Sequence, residues 1–139
     1  MSTAFLRPGY TPPMPALRVR LNRLGGAAGT ASMEAIVDTG ADMTIAPEWM
    51  LEQLGAIKAI ETALVTQWGE RHPVTLYLVD IEINGLRLPG VYIAGDENAA
   101  DVILGRNVLN KLPLFLDGPE EQAEVLDKTA AKRLRARRG

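Results

Sequence analysis

The stretch Ala35-Ile36-Val37-Asp38-Thr39-Gly40-Ala41-Asp42 decides how this chain is read. Three apolar residues run directly into an aspartate and then into a Thr-Gly turn. That is an unusual place for a solvating charge, because a carboxylate at the end of a buried strand is costly unless it is hydrogen-bonded or protonated. Gly40 lets a neighbouring backbone approach closely, or takes a conformation closed to other residues. Thr39 supplies a hydroxyl small enough to be buried and bonded across an interface. Read alone, the tripeptide is suggestive, with an Asx-type turn at a strand end as the lesser alternative, so its flanks must decide.

Upstream, Leu17, Val19 and Leu21 alternate with Arg18, Arg20 and Asn22, the period of a half-buried strand. Gly25, Gly26 and Gly29 make a loose turn, and residues 31–37 return as a second strand. Downstream, 43–45 are strand-like, and Pro47 opens a short helix over 47–54 that Gly55 stops. Residues 64–66, the turn Gln67-Trp68-Gly69-Glu70 and the run 74–83 predict strand, turn, strand. Asn84-Gly85, between Ile81-Glu82-Ile83 and Leu86-Arg87-Leu88, is a strong hairpin signal. Strands over 91–94 and 102–104 enclose a polar loop, and a short helix is expected over 107–111. Residues 114–116 and 124–126 read as strands around Asp117-Gly118-Pro119. Short strands punctuated every 8–12 or so residues predict an all-β closed barrel or sandwich with one or two short helices. A chain of 139 residues suits one domain. The expected division is an extended, proline-marked arm over 1–15, the domain over 16–127, and a basic tail over 128–139.

Asp101-Val102-Ile103-Leu104-Gly105-Arg106-Asn107-Val108-Leu109 is a second informative block, apolar residues entering a glycine and then a short helix. Together the two blocks resemble the retropepsin-like aspartic proteases, the single-domain, retroviral-type relatives of pepsin. Ile36-Val37-Asp38-Thr39-Gly40-Ala41 matches the block that carries the family's catalytic aspartate. Ile103-Leu104-Gly105-Arg106-Asn107 matches the block that threads beside it. The resemblance implies that Asp38 is catalytic, supported by Thr39 and Gly40. It implies further that Arg106, flanked by Gly105 and Asn107, is structural support and pairs with Asp42. Ala41, Asp42, Trp68 and Gly69 would contact substrate, the last two from a flap hairpin that closes over bound peptide.

Composition narrows the chemistry independently. There is no cysteine, so a disulfide scaffold, a thiol nucleophile and a thiolate zinc site are excluded. The single histidine, His72, makes a multi-histidine metal centre implausible and leaves little room for a Ser-His-Asp triad. No metal or organic cofactor is implied. Peptide hydrolysis without either needs one group to take a proton from water and another to give one. Two close carboxylates can do both, because like charges that near share one proton and titrate as a unit. The chain has one Asp-Thr-Gly; Asp80, Asp96, Asp101 and Asp117 lack that context. The second carboxylate is therefore expected from another copy, in a symmetric homodimer. Residues 2–10, 114–116 and 124–126 are the expected interface, with termini interleaved as edge strands.

Charge is uneven. Of 15 basic groups, six (Lys128, Lys132, Arg133, Arg135, Arg137 and Arg138) fall in residues 128–139, which hold no acid. The remaining nine face all 17 acidic groups, so the body is acidic and unsuited to nucleic acid. The tail is expected to be solvated and partly helical. Neither a secretory signal nor an apolar run of membrane-spanning length is visible, and a cytoplasmic protein is expected. Trp49 is expected in the core and His72 on the flap stem. The reading is thus a homodimeric aspartic endopeptidase acting on peptide or protein. Its rival is a peptide-binding or assembly module that keeps fold and dimer but hydrolyses little.

Overall fold

A computed structural model describes residues 2–27 and 29–138. Strand β2 (Ala16–Arg23) buries Leu17, Val19 and Leu21 on one face, as its alternation dictates. It pairs antiparallel with β3 (Met33–Val37) on one side and with β6 (Arg71–Ile83) on the other. β3 runs parallel to β8 (Ile103–Leu104), which crosses β4 (Ile45–Pro47) at Ile45. β4 lies parallel to β7 (Leu86–Asp96), and β7 returns antiparallel to β6. The ring β2-β3-β8-β4-β7-β6 closes on itself, a six-stranded barrel, with β5 (Ile57–Val65) hung on the outside of β6. The core inside it is apolar: Val79, Ile81, Ile83, Ile93 and Leu104 are all inaccessible to solvent.

The β6–β7 hairpin turns on Asn84 and Gly85 at φ of 49° and 82°, the conformation that sequence pair favours. β7 is one strand where two segments were expected. Its Pro89-Gly90 interruption is a bulge, with a register shift opposite Val79/Ile81 and Gly90 at φ 63°. Buried Asp80 fixes that bulge by accepting from the Gly90 amide at 2.9 Å, and it ties down the β2–β3 loop through Gly25 N at 2.9 Å. Arg87 closes the cluster at 2.8 Å. The Gly90 amide holds the Asp80 carboxyl below the ordinary range, with the Gly25 amide and Arg87 adding to it and burial opposing.

Three helices accompany the barrel. In α1 (Glu48–Leu54), Leu51 is buried and the Gly55 cap sits at φ 75°. Trp49, expected in the core, is 62% exposed. It precedes Leu51 by two residues, about 200° around the helix, so burying one turns the other outward. The second helix, α2 (Arg106–Leu109), starts one residue earlier than expected. A third, α3 (Lys128–Ala136), lies in the basic tail, where partial helix was expected. Asp127 caps it through the Ala130 amide at 2.7 Å, and Ala131 seats it.

The termini form a separate sheet of β1 (Ser2–Ala4), β10 (Gln122–Val125) and β9 (Leu114–Asp117). β1 thus pairs with β10 of its own chain, and residues 5–15 double back through a Leu6–Met14 bridge instead of running on as an arm. No helix of the described residues is long and apolar enough to cross a membrane.

Candidate active site

β3 delivers Asp38 to the mouth of the barrel. Ile36 N and Asp38 N donate to the carbonyls of Val102 and Leu104 at 2.9 and 3.1 Å, so the aspartate is registered against the second motif by parallel ladder bonds. Residues 38–41 then turn, with Ala41 N donating to Asp38 O at 3.2 Å. Gly40 N donates to Asp38 Oδ1 at 2.9 Å, which fixes the carboxylate's orientation. A Cβ on Gly40 would lie 3.1 Å from that same oxygen, so glycine gives the carboxylate its room. Asp38, Thr39, Gly40 and Asp42 are exposed in the single chain, Ala41 partly so. No protein group among the described residues bonds the Thr39 hydroxyl.

The second motif grips this turn from behind. Arg106 N donates to Ala41 O at 2.8 Å, and the Arg106 guanidinium donates to Thr39 O at 2.8 Å. Arg106 therefore holds the loop backbone. The expected Asp42–Arg106 pair is not formed among the described residues; the Arg106 guanidinium donates to the Thr39 carbonyl. Gly105 is where the two segments touch: a Cβ there would stand 2.5 Å from the Met43 carbonyl carbon.

Sequence reasoning gave Asn107 a supporting role but missed its partner, Thr44. Thr44 is fully buried; its amide and hydroxyl both donate to Asn107 Oδ1, at 2.9 and 2.8 Å. Gly105 N donates to Thr44 Oγ1 at 3.0 Å, and Asn107 Nδ2 reaches Tyr92 O at 2.9 Å. A polar residue inside the strand-like run Met43-Thr44-Ile45 was the available signal, since a buried hydroxyl demands a partner.

β5 and β6 project as a long hairpin, paired from Ile57↔Leu78 to Val65↔Arg71 with a bulge between Lys58 and Ile60. Its tip closes through Thr66: the Thr66 amide donates to Glu70 O at 2.9 Å, and the hydroxyl accepts from the amides of Trp68 and Glu70. Gly69 sits at φ 81°, where a side chain would be strained, and Trp68 is 80% exposed. His72 stands on the hairpin stem, 3.5 Å from Glu70. Trp68 and Gly69 belong to this tip, while Ala41 and Asp42 belong to the turn.

A cleft of about 760 Å³ opens between this hairpin and the strand ends of the barrel, with Ile45, Leu64 and Val74 among its apolar walls. Its lining starts at Ile45 and does not include the Asp38 turn itself. Glu48 is set into its wall by Tyr77, a fully buried phenol whose hydroxyl donates to Glu48 Oε2 at 3.3 Å. Burial, and then the charges of Glu48 and Glu52, push that phenol up to about 12.

Residues 25–111, more than half of the chain, match the model of the family described as "gag-polyprotein putative aspartyl protease". The chain belongs to this family. No curated protein matches it in sequence. Among solved structures it is similar to a retropepsin-like aspartic protease from Rickettsia conorii, with TM-score 0.58 and 13% identity over 88% of this chain and 86% of that one. It is similar also to the retroviral protease-like domain of Ddi1 from Leishmania major, with TM-score 0.54 and 17% identity over 81% and 87%. The foamy viral protease–reverse transcriptase matches with TM-score 0.54 and 19% identity over 75% of this chain; the match spans 13% of that longer polypeptide. At these identities the structural likeness speaks for the fold, a retropepsin-like barrel.

Proposed function

We propose that two copies of this chain pair about a twofold axis to form an aspartic endopeptidase. The observation that carries the proposal is the Asp38 turn: an exposed carboxylate, oriented by Gly40 N and locked from behind by Arg106, with no second Asp-Thr-Gly in the chain. A lone carboxylate of this kind lacks a proton donor for hydrolysis, and a symmetric mate supplies it. In the pair one carboxyl is protonated while its neighbour acts as base. The base takes a proton from water as that water attacks the peptide carbonyl carbon. The acid protonates the carbonyl oxygen, and collapse of the tetrahedral intermediate expels the amine with a proton returned by the pair. Thr39 would bond across the axis, and Ala41 and Asp42 would hold substrate backbone. Trp68 and Gly69 would close from the flap, with the peptide lying as an added strand. The exposed Phe115 and Leu116 on β9, whose outer edge has no strand partner among the described residues, support the terminal sheet as part of the dimer surface.

The test compares wild type with Asp38→Asn on a peptide library from about pH 4 to about pH 8. Cleavage lost in the variant, with the fold retained, supports the proposal. Equal cleavage by both refutes it, and binding without turnover by wild type favours the peptide-binding module.

A further inference from the structure

The tip of the β5–β6 hairpin closes its backbone donors on itself. The amides of Trp68 and Glu70 donate to Thr66 Oγ1 at 3.2 and 3.3 Å, and the Gly69 amide donates to Thr66 O at 2.9 Å. The Thr66 amide seals the neck on Glu70 O at 2.9 Å. Of the five amides from Thr66 to Glu70, only that of Gln67, at the first corner of the turn, makes no such bond among the described residues. An amide has one hydrogen to give, so handing any of the other four to a ligand costs the bond it already makes. The Trp68 side chain is the reverse case. It is 80% exposed, no group among the described residues bonds its indole, and Nε1–H is a donor only. Leu64 and Val65 on one strand of the hairpin, and His72, Pro73 and Val74 on the other, line the cleft, so the tip stands at its edge. A flat apolar ring with one polar hydrogen is well fitted to lie on a peptide there and bond a carbonyl.

We infer that the flap holds substrate through the Trp68 side chain and not through the amides of its tip. Nε1–H donates to one main-chain carbonyl of the bound peptide, and the ring covers the atoms beside it. This rests on the endopeptidase reading, in which an extended peptide passes under the hairpin. The dyad sets the register of that peptide, so the bonded carbonyl is at one fixed position relative to the scissile bond. Twofold symmetry brings a second indole to the other half of the peptide.

The test uses protein carrying Asp38→Asn and Trp49→Phe, which binds without turnover and keeps Trp68 as its one tryptophan. The probe is the decapeptide this protein retains most strongly from a random library or, if none is retained, the one wild type cleaves fastest. Binding is expected to move the Trp68 emission to shorter wavelength as the indole leaves water. Trp68→Phe keeps a ring and removes the donor; it should weaken the affinity read by calorimetry about fivefold, and Trp68→Ala about fiftyfold. Gln67→Ala, the neighbouring exposed residue, should change it by less than about twofold. Esters replacing the amides of the decapeptide one at a time weaken one carbonyl acceptor each. At one position the ester should cost the parent protein severalfold in affinity and cost Trp68→Phe nothing further. Ester penalties equal in the two proteins at every position overturn the proposal, because the donor is then another group. An emission change that follows subunit association, with no further change on adding peptide, also overturns it by seating the indole on the second copy. Digests separate the proposal from the reading it rests on. Cleavage that needs Asp38 but is unchanged in Trp68→Ala defeats the indole contact alone. Peptide binding that depends on Trp68, with no cleavage by wild type, defeats the endopeptidase and leaves the contact standing. A library neither retained nor cleaved defeats both.

Discussion

Replacing Gly105 by alanine tests the crossing that holds the Asp38 turn in place. Gly105 has φ −93° and ψ −180°, open to any residue, so the substitution strains no dihedral and its effect is purely steric. The added Cβ would stand 2.5, 2.6 and 2.9 Å from the carbonyl carbon, oxygen and amide nitrogen of Met43, all backbone atoms. Ordinary contact begins at 3.4 Å, so the two segments must part by about 0.9 Å. A shift of that size lengthens the bonds from Gly105 N to Thr44 Oγ1 and from Arg106 N to Ala41 O beyond useful range. Overpacking of about 2 kcal/mol and two lost bonds of about 1 kcal/mol each give about 4 kcal/mol. In urea unfolding, with a slope of about 2 kcal/mol/M, the midpoint should fall by about 2 M at fixed protein concentration. Gly118→Ala, with nothing within 4 Å of the new Cβ, is the matched control and should move it by less than about 0.3 M. A Gly105→Ala midpoint indistinguishable from that control would refute the crossing as drawn.

Two further outcomes follow from the same geometry. Asp80 has a depressed folded-state pKa, so its contribution is complete above the ordinary carboxylate value of about 4 and is lost as pH falls through the folded value. Asp80→Asn should therefore cost about 2 kcal/mol near neutral pH, and the gap to wild type should narrow below about pH 4 in chemical unfolding; a gap independent of pH would contradict it. Gly69→Ala, at φ 81°, should strain the hairpin tip by about 1 kcal/mol, slowing peptide turnover and lowering the urea midpoint by about 0.5 M. An unchanged turnover rate would remove the tip from the catalytic cycle.

The barrel and the Asp38 turn were legible because they follow local rules. Alternation at Leu17, Val19 and Leu21 marks a strand half in the core, and Asn84-Gly85 dictates its own turn. What escaped notice obeys no such rule. The first seven residues of β5 are strand although hardly any of them is buried, so no apolar period betrays them; the hairpin with β6 alone fixes them. Trp49 reads as core by its chemistry, but a two-turn helix can bury only one stripe, and Leu51 takes it. Arg106 was expected to pair with Asp42, and only three dimensions show the Thr39 carbonyl within its reach. The Thr44–Asn107 bond joins residues 63 apart and lay beyond any sequence window.

The central claim is that each site needs Asp38 from two chains. Wild-type and Asp38→Asn protein, mixed in varying proportion at constant total concentration and allowed to exchange subunits, test it through the peptidase rate. Shared sites predict a rate that falls as the square of the wild-type fraction, to about one quarter in an equal mixture. A linear fall, to about one half, would mean that each chain works alone and would contradict the account.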